Sequence, residues 1–318
     1  MGRVLITPNV FHPDAVALLE NEGHEVIFSQ PTQSLNADAL IGLIHDFDAY
    51  VAGSNPITAN VINQANKLKI IARFGVGYDN VDWKYAFSKG IQVTVTAGAN
   101  EQSVADMTFA LLLGISRKIP YFDRTVRGGG WTPLVLGVES WNKSIGIIGT
   151  GRIGKAVAQR ARGFDMKVLA YDVYPDKAWA ERIGAKYVPL EELVSSSDYV
   201  TLHTPLTNDT NKMVSRSFLE KMKSSAYLIN TARGSLVDEE ALYEALVTNQ
   251  IAGAAMDVYD GEPVRTDHPL LGIENCLFTC HVSSHTNEAF KRMSFMCAEE
   301  IRLVLCGEKP QHLIPELR

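Results

Sequence analysis

The stretch Ser144-Ile145-Gly146-Ile147-Ile148-Gly149-Thr150-Gly151-Arg152-Ile153-Gly154 decides how this chain is read. An apolar run of strand length comes first, and the glycines then fall in the spacing G-x-G-x-x-G as a helical pattern opens. In such a turn Gly149 permits the tight bend, Gly151 lets the backbone approach a pyrophosphate, and Gly154 lets helix and strand pack closely. The helix N-terminus adds unpaired N–H donors and the positive end of its dipole. Lys167-Val168-Leu169-Ala170-Tyr171 reads as the next strand and ends at Asp172, 18 positions after Gly154. A carboxylate there accepts hydrogen bonds from an adenosine ribose and repels a 2′-phosphate, so NAD is favoured over NADP. A bare glycine triplet would be weak; strand, helix and spaced acid together make a specific dinucleotide fingerprint.

Outward from this stretch, strand-length apolar runs alternate with amphipathic helical segments. Before it, strands are expected at Val4–Thr7, Glu25–Phe28, Ala49–Ala52, Lys69–Arg73 and Gln92–Thr96. After Ser144 a second series is expected at 145–149, 167–171, 198–202, 226–230, 252–256 and 276–279, with a terminal helix over Asn287 to Leu305. Alternation of this kind predicts an α/β chain of two doubly wound parallel sheets. A very apolar helix, Glu101 to Lys118, lies between the two series. Residues Arg127 to Lys143 break the rhythm with Gly128-Gly129-Gly130, Pro133 and Gly137, while Trp131 and Trp141 call for a packing surface. L-lactate-type and short-chain dehydrogenases begin with the fingerprint, whereas here it starts only at residue 144. The latter class also needs a downstream Tyr-x-x-x-Lys pair, and the one match, Tyr85 with Lys89, lies upstream.

Composition sets outer limits. Of 318 residues, 46% are hydrophobic and 21% charged, ordinary for a chain that buries a real core, which excludes disorder as the main state. A formal net charge of −6 argues against a general nucleic-acid or anionic-membrane binder. The longest apolar stretch, around Phe109 to Ile115, is too short to span a bilayer. No secretory signal precedes Val4-Leu5-Ile6, and the four cysteines form no dense framework, so a reduced, cytoplasmic setting is expected. Cys276, Cys280, His281 and His285 suggest a zinc site on paper. Adjacent residues on a strand point to opposite faces, however, so no metal is expected.

Oxidising a hydroxy acid with NAD requires a base, a cation for the carboxylate and a group that tunes the base. Ligands sit outside the carboxyl edge of doubly wound sheets, so strand ends hold the candidates. Arg233 follows the run Ile229-Asn230-Thr231-Ala232, and its planar fork suits a bidentate carboxylate. His281, in Phe278-Thr279-Cys280-His281-Val282, exchanges a proton near neutral pH, and Glu262 in Asp260-Gly261-Glu262-Pro263 is a candidate partner. Taken singly, each has a plainer reading: a surface ion pair, a satisfied core histidine and a turn acid. Gly75-Val76-Gly77 lacks a third glycine and by itself reads as a tight turn.

Motifs in fixed order then carry a family resemblance. They are Gly75-Val76-Gly77-Tyr78-Asp79-Asn80-Val81-Asp82, Asn100-Glu101-Gln102-Ser103-Val104-Ala105-Asp106, the fingerprint, Leu202-His203-Thr204-Pro205-Leu206-Thr207, Asn230–Gly234, Ala252–Val258, and the contexts of Glu262-Pro263 and His281. With them the chain resembles the D-isomer-specific 2-hydroxyacid dehydrogenases over nearly its whole length, with phosphoglycerate dehydrogenase-like features. The resemblance implies a Rossmann NAD domain over 100–287 inserted in a flavodoxin-like substrate domain of 1–99 and 288–318. It implies substrate binding by Arg233, acid/base work by His281 and a supporting hydrogen bond from Glu262. It places Thr108, Gly149, Gly151, Arg152, Ile153, Gly154, Asp172, His203, Thr207, Thr231 and Asp257 around NAD, and makes Gly75, Val76 and Gly77 a substrate loop. It also implies a homodimer built on the 101–118 helix.

Some residues depart from the family pattern. Cys280 stands where Pro usually precedes the histidine, Ala97 where Pro is common, His285 where Ala is frequent, and Asp106 for Glu. Arg73, just before the glycine loop, resembles a phosphate-reading cation of the serine-pathway phosphoglycerate dehydrogenases; a strand-end arginine paired with an acid such as Asp79 is the plain alternative. The expected activity is hydride transfer between NAD(H) and a D-2-hydroxy acid or 2-oxo acid. Candidate substrates include 3-phosphoglycerate, with glyoxylate or hydroxypyruvate reduction as the alternative. An NAD-sensing interaction protein like the C-terminal-binding-protein corepressors is the reading from another class.

Overall fold

The computed structural model describes residues 1–29, 36–131 and 134–317; Pro133 lies outside them. Two compact units divide the chain, Met1–Asn100 with His285–Arg318, and Glu101–Ser284.

The first unit runs β1 (Arg3–Ile6), α1 (Pro13–Asn21), β2 (Glu25–Phe28), α2 (Ala37–Ile44), β3 (Ala49–Ala52), α3 (Ala59–Gln64), β4 (Ile70–Arg73), α4 (Trp83–Ser88) and β5 (Gln92–Val95). Among the described residues its strands form one all-parallel sheet in the order β2-β1-β3-β4-β5, the flavodoxin-like winding. β3 and β4 are buried at every position, which is why Ala49-Tyr50-Val51-Ala52 and Ile70-Ile71-Ala72-Arg73 read as continuous rather than alternating patterns. Leu5, Tyr50, Ile71 and Val93 belong to one core cluster with Leu40, Ile44 and Val61 of the helices. Side-chain caps start the helices: Asn36 accepts from the Ala39 N–H and Asp82 from the Tyr85 N–H.

The second unit begins with α5 (Glu101–Ser116) and α6 (Ile119–Arg127). It continues with β6 (Ser144–Ile148), α7 (Arg152–Gly163), β7 (Lys167–Tyr171), α8 (Lys177–Ile183), β8 (Lys186–Tyr187), α9 (Leu190–Ser196) and β9 (Tyr199–Leu202). Then come α10 (Arg216–Lys221), β10 (Tyr227–Asn230), α11 (Glu239–Val247), β11 (Gly253–Met256) and β12 (Cys276–Phe278). The described strands, all parallel, order as β12-β11-β10-β9-β6-β7-β8. Counted from β6 this is the 3-2-1-4-5-6 Rossmann winding with one added edge strand. The order reverses between β6 and β9, the topological switch point where such sheets bind ligands.

α12 (Asn287–Leu305) returns to the first unit, where its Cys297, Ala298 and Ile301 join the core of Val4, Ile6, Val51 and Ile70.

Two elements differ from expectation. The apolar helix ends at Ser116 rather than Lys118, and α6 follows at once. Pro120 has no N–H to return to Ser116, whose carbonyl instead accepts from the Val138 N–H at 2.8 Å. Lys118 takes a left-handed backbone, φ 54°, at the break. The second, β8, is an edge strand of two residues, too short to leave a pattern in the sequence. The stretch around α6 also concentrates exposed apolar side chains: Ile119, Val126, Trp131, Leu134, Leu136 and Trp141, with Trp131 89% exposed.

Candidate active site

Because the second sheet is all-parallel, every strand ends on the same edge, and the expected site residues of this unit follow those ends. Gly149 follows β6, Asp172 follows β7, and His203 to Thr207 follow β9. Thr231 to Arg233 follow β10, Asp257 follows β11, and Thr279 to His281 follow β12.

The three fingerprint glycines are needed for three different reasons. Gly149 adopts φ +92°, and a Cβ there would stand 2.5 Å from the His203 carbonyl oxygen. A Cβ at Gly154 would lie 2.0 Å from the Gly149 oxygen, so helix and turn touch only because it is absent. At Gly151 a Cβ would meet nothing within 4 Å: the space beside this N-cap of α7 is open. Two glycines are thus demanded by the protein and one leaves room for something else, which fits a bound pyrophosphate at the helix N-terminus. Ile153 is partly buried, and exposed Arg152 borders a cavity of about 480 Å³ with Lys155, Arg162, Arg182 and Trp179.

Asp172 stands directly after β7. Its Oδ2 accepts the Thr150 N–H at 2.6 Å and its Oδ1 the Tyr174 N–H at 2.9 Å. Thr108 of α5 and Thr231 after β10 meet at 3.1 Å between hydroxyls, both buried. Thr207 sits in an exposed turn with Thr210. His203 bonds the Thr201 hydroxyl at 3.1 Å through Nε2, and burial pushes its pKa down to about 3, so it stays neutral at physiological pH.

Glu262 and His281 come together. Nδ1 of His281 lies 2.6 Å from Glu262 Oε2, and the other carboxylate oxygen accepts the Tyr259 N–H at 3.0 Å. The glutamate is thereby aimed from its own loop, and the bond at Nδ1 directs Nε2 away from it. His281 has a left-handed backbone, φ 55°, an uncommon state for a residue other than glycine. Asp257 explains how it is held. Its carbonyl accepts the His281 N–H at 2.7 Å, and its fully buried carboxylate accepts Thr279 Oγ1, Val282 N, Ser283 N and Ser283 Oγ at 2.5 to 3.0 Å. The Tyr259 hydroxyl donates to the Thr279 carbonyl at 2.6 Å, and burial raises its pKa and keeps that proton in place. The family resemblance implies a place for Asp257 near the cofactor; in the structure its carboxylate is engaged in clamping the histidine loop.

Arg233 stands in extended conformation just past β10, partly buried, with Nη1 donating to the Ala232 carbonyl at 2.7 Å. Asn230 braces it: its side chain accepts the Ala232 N–H and donates to the Arg233 carbonyl. His268 and Glu239 pair at 2.9 Å in a partly buried position, and Glu239 also accepts the N–H of Asp260, two residues before Glu262. Neither residue carries a sequence motif; only the fold brings them to this loop.

In the first unit, Arg73 ends β4 and is only 8% exposed. Its Nε donates to the Gly77 carbonyl at 2.9 Å, and its Nη1 to the carbonyls of Ala52, at 2.6 Å, and Gly53. The guanidinium therefore ties the Gly75-Val76-Gly77 loop to the end of β3. Gly75 has φ +151°. His285 packs edge-on against Phe290, ring centroids 5.0 Å apart. Cys280 is exposed and Cys276 buried in β12. Among the described residues no three His, Cys, Asp or Glu side chains are grouped to hold a metal ion. Nor is any described helix long and apolar enough to cross a membrane.

A Rossmann sheet with an intact dinucleotide turn, a ribose-spaced acid, a hydrogen-bonded His–Glu pair and an arginine on the same sheet edge defines a nicotinamide-dependent dehydrogenase. The comparisons make this specific. The model of the D-isomer specific 2-hydroxyacid dehydrogenase NAD binding domain matches residues 109–283. A glyoxylate reductase of Korarchaeum cryptofilum is 42% identical over 284 residues, 88% of this chain and 83% of its own length. A D-3-phosphoglycerate dehydrogenase of Methanocaldococcus jannaschii is 39% identical over 99% of this chain, which spans only 59% of that relative. The crystal structure of the TT0316 protein from Thermus thermophilus superposes with TM-score 0.91 and 36% identity, covering 98% of this chain and 99% of that one. The chain belongs to the D-isomer specific 2-hydroxyacid dehydrogenases and is an NAD-dependent enzyme of that family.

Proposed function

We propose that the enzyme reduces a small, unphosphorylated 2-oxo acid such as glyoxylate or hydroxypyruvate to the D-2-hydroxy acid, and runs the reverse oxidation. The 2.6 Å His281–Glu262 bond carries this reading, since it fixes which imidazole nitrogen serves the substrate. Arg233 pairs with the substrate carboxylate and polarises the neighbouring carbonyl. Imidazolium at His281 donates its Nε2 proton to the carbonyl oxygen as C2 is reduced, and neutral imidazole takes it back in the oxidation. Glu262 accepts the Nδ1–H and holds the ring in one orientation. NADH, when bound, supplies the hydride. Thr108, Thr231, the glycine turn and Asp172 are assigned to hold it, with Arg152, Ile153, His203 and Thr207 bordering it. The Gly75-Val76-Gly77 loop, whose Gly75 N–H is donated to the Arg73 carbonyl at 3.0 Å, is assigned to substrate binding through the N–H groups of Val76 and Gly77.

Arg73 argues against a phosphate on the substrate. Three of its hydrogen bonds go to backbone carbonyls, which suits a tether for the loop better than a phosphate reader. The test is NADH consumption with glyoxylate, hydroxypyruvate and pyruvate beside oxidation of 3-phosphoglycerate. Turnover confined to 3-phosphoglycerate would overturn the substrate assignment. Inactivity on all four would count against the catalytic reading.

The exposed apolar side chains from Ile119 to Trp141 support a homodimer formed by this segment. Light scattering should give twice the chain mass, and a Trp131→Ser/Leu134→Ser double variant should shift it towards the monomer. A monomeric parent protein would refute the assignment.

A further inference from the structure

Asp172 is held from behind by a chain of hydroxyl groups. Besides the Thr150 N–H, its Oδ2 accepts the Thr150 hydroxyl at 3.0 Å. The Tyr187 hydroxyl lies 2.6 Å from Thr150 Oγ1, and the Asp176 N–H donates to the Tyr187 oxygen at 3.1 Å. Each hydroxyl has one proton to give, and an ionised carboxylate only accepts. Thr150 therefore spends its proton on Asp172 and accepts from Tyr187, which accepts in turn from Asp176. The result is a directed relay from Asp176 N–H through Tyr187 and Thr150 to the carboxylate.

The far end of the relay is anchored as well. The Tyr187 ring packs edge-on against Trp179, centroids 6.1 Å apart, and Asp176 Oδ1 caps α8 by accepting the Trp179 N–H at 3.0 Å. Lys155 of α7 bonds Asp176 Oδ2 at 2.6 Å, with its ammonium 5.5 Å from the Trp179 ring centroid. The two-residue strand β8 thus has a use that its length conceals: it delivers Tyr187 to the back of the glycine turn.

We propose that Thr150 and Tyr187 are positioning residues that lock the Asp172 carboxylate in one orientation and so set how strongly the site prefers NAD to NADP. The inference rests on the reading of Asp172 as the ribose-binding acid. A carboxylate repels a 2′-phosphate fully only while it stays in place; one free to turn about its side-chain torsions swings aside and relieves the repulsion. Hydrogen bonds to Oδ2 and Oδ1 oppose that rotation. Hydroxyl chains also polarise one another, so removing the Tyr187 proton weakens the Thr150 bond it feeds.

Affinities for NADH and NADPH, measured by calorimetric titration without substrate, test this together with kcat for each cofactor. Tyr187→Phe should leave kcat with NADH unchanged and lower the NADH-over-NADPH affinity ratio about three- to tenfold, the scale of one neutral hydrogen bond. Thr150→Ala should lower the ratio further, and Thr150→Ser, which keeps the hydroxyl, should restore it. Asp172→Ala is the control. If it abolishes the preference while Tyr187→Phe and Thr150→Ala weaken both cofactors equally, the relay is overturned and the hydroxyls are only structural. If Asp172→Ala leaves the ratio unchanged, the ribose reading itself fails, and the relay with it.

Discussion

The chain carries two short glycine turns, Gly149-Thr150-Gly151 after β6 and Gly75-Val76-Gly77 after β4, and they work by different physics. The first opens a 12-residue helix, and its shape follows from close approach: Gly149 against the His203 carbonyl, Gly154 against Gly149. The second opens no helix at once and is pinned from outside by a buried guanidinium that bonds the Gly77 carbonyl. One turn is fixed by packing, the other by a charged side chain. Glycine spacing alone therefore says little until the neighbours that require it are known.

The sharpest way to break this contrast is Gly154→Ala. Its Cβ would enter a space where backbone oxygen stands at 2.0 Å, so α7 must shift away from β6. Overpacking of this sort costs ~1–3 kcal/mol or more, and thermal melting should show the loss together with loss of NADH binding. Gly151→Ala meets no protein atom and should fold normally, yet weaken NADH. A variant that binds NADH as well as the parent would remove the open-space argument.

Arg73→Ala probes the other turn. The Gly77 carbonyl loses the Arg73 donor, at a cost of ~1–3 kcal/mol if it is left without another partner, while the Ala52 and Gly53 carbonyls keep the Phe74 N–H and the Asn80 amide. The KM should rise for every 2-oxo acid alike. A rise limited to phosphorylated substrates would make Arg73 a phosphate reader instead.

The smallest expected effect is an acid limb in stability. His203 has its folded pKa depressed from 6.5 to about 3, so the unfolded chain binds the extra proton between those values. Stability from this group is fully present above pH 6.5 and is lost progressively as pH falls towards 3. Denaturant midpoints across that range should fall less steeply in His203→Gln than in the parent.

Much of the architecture was legible because parallel strands buried on both faces leave continuous apolar runs. The strand β8 was not, since two residues carry no period. Nor was α6, because the apolar pattern ran on while Pro120 ended the hydrogen bonding. In the site, the candidates after β10 and β12 follow from their place at strand ends. The clamping by Asp257 does not, because its partners at 279–283 lie more than twenty residues on and are brought to it only by pairing of β11 with β12. Arg73 shows the same limit. A strand-end arginine invites an anionic partner on paper, and the carbonyls that receive it come from β3 and the loop beyond β4.

In the proposed mechanism His281 moves the proton while other residues hold the cofactor. The direct measurement is the steady-state rate of His281→Asn with glyoxylate or the best 2-oxo acid found, with NADH affinity titrated on the same sample. The prediction is a kcat lowered by roughly 10²–10⁴-fold with NADH affinity within about twofold of the parent. A variant that binds NADH normally and still turns over near the parent rate would contradict it.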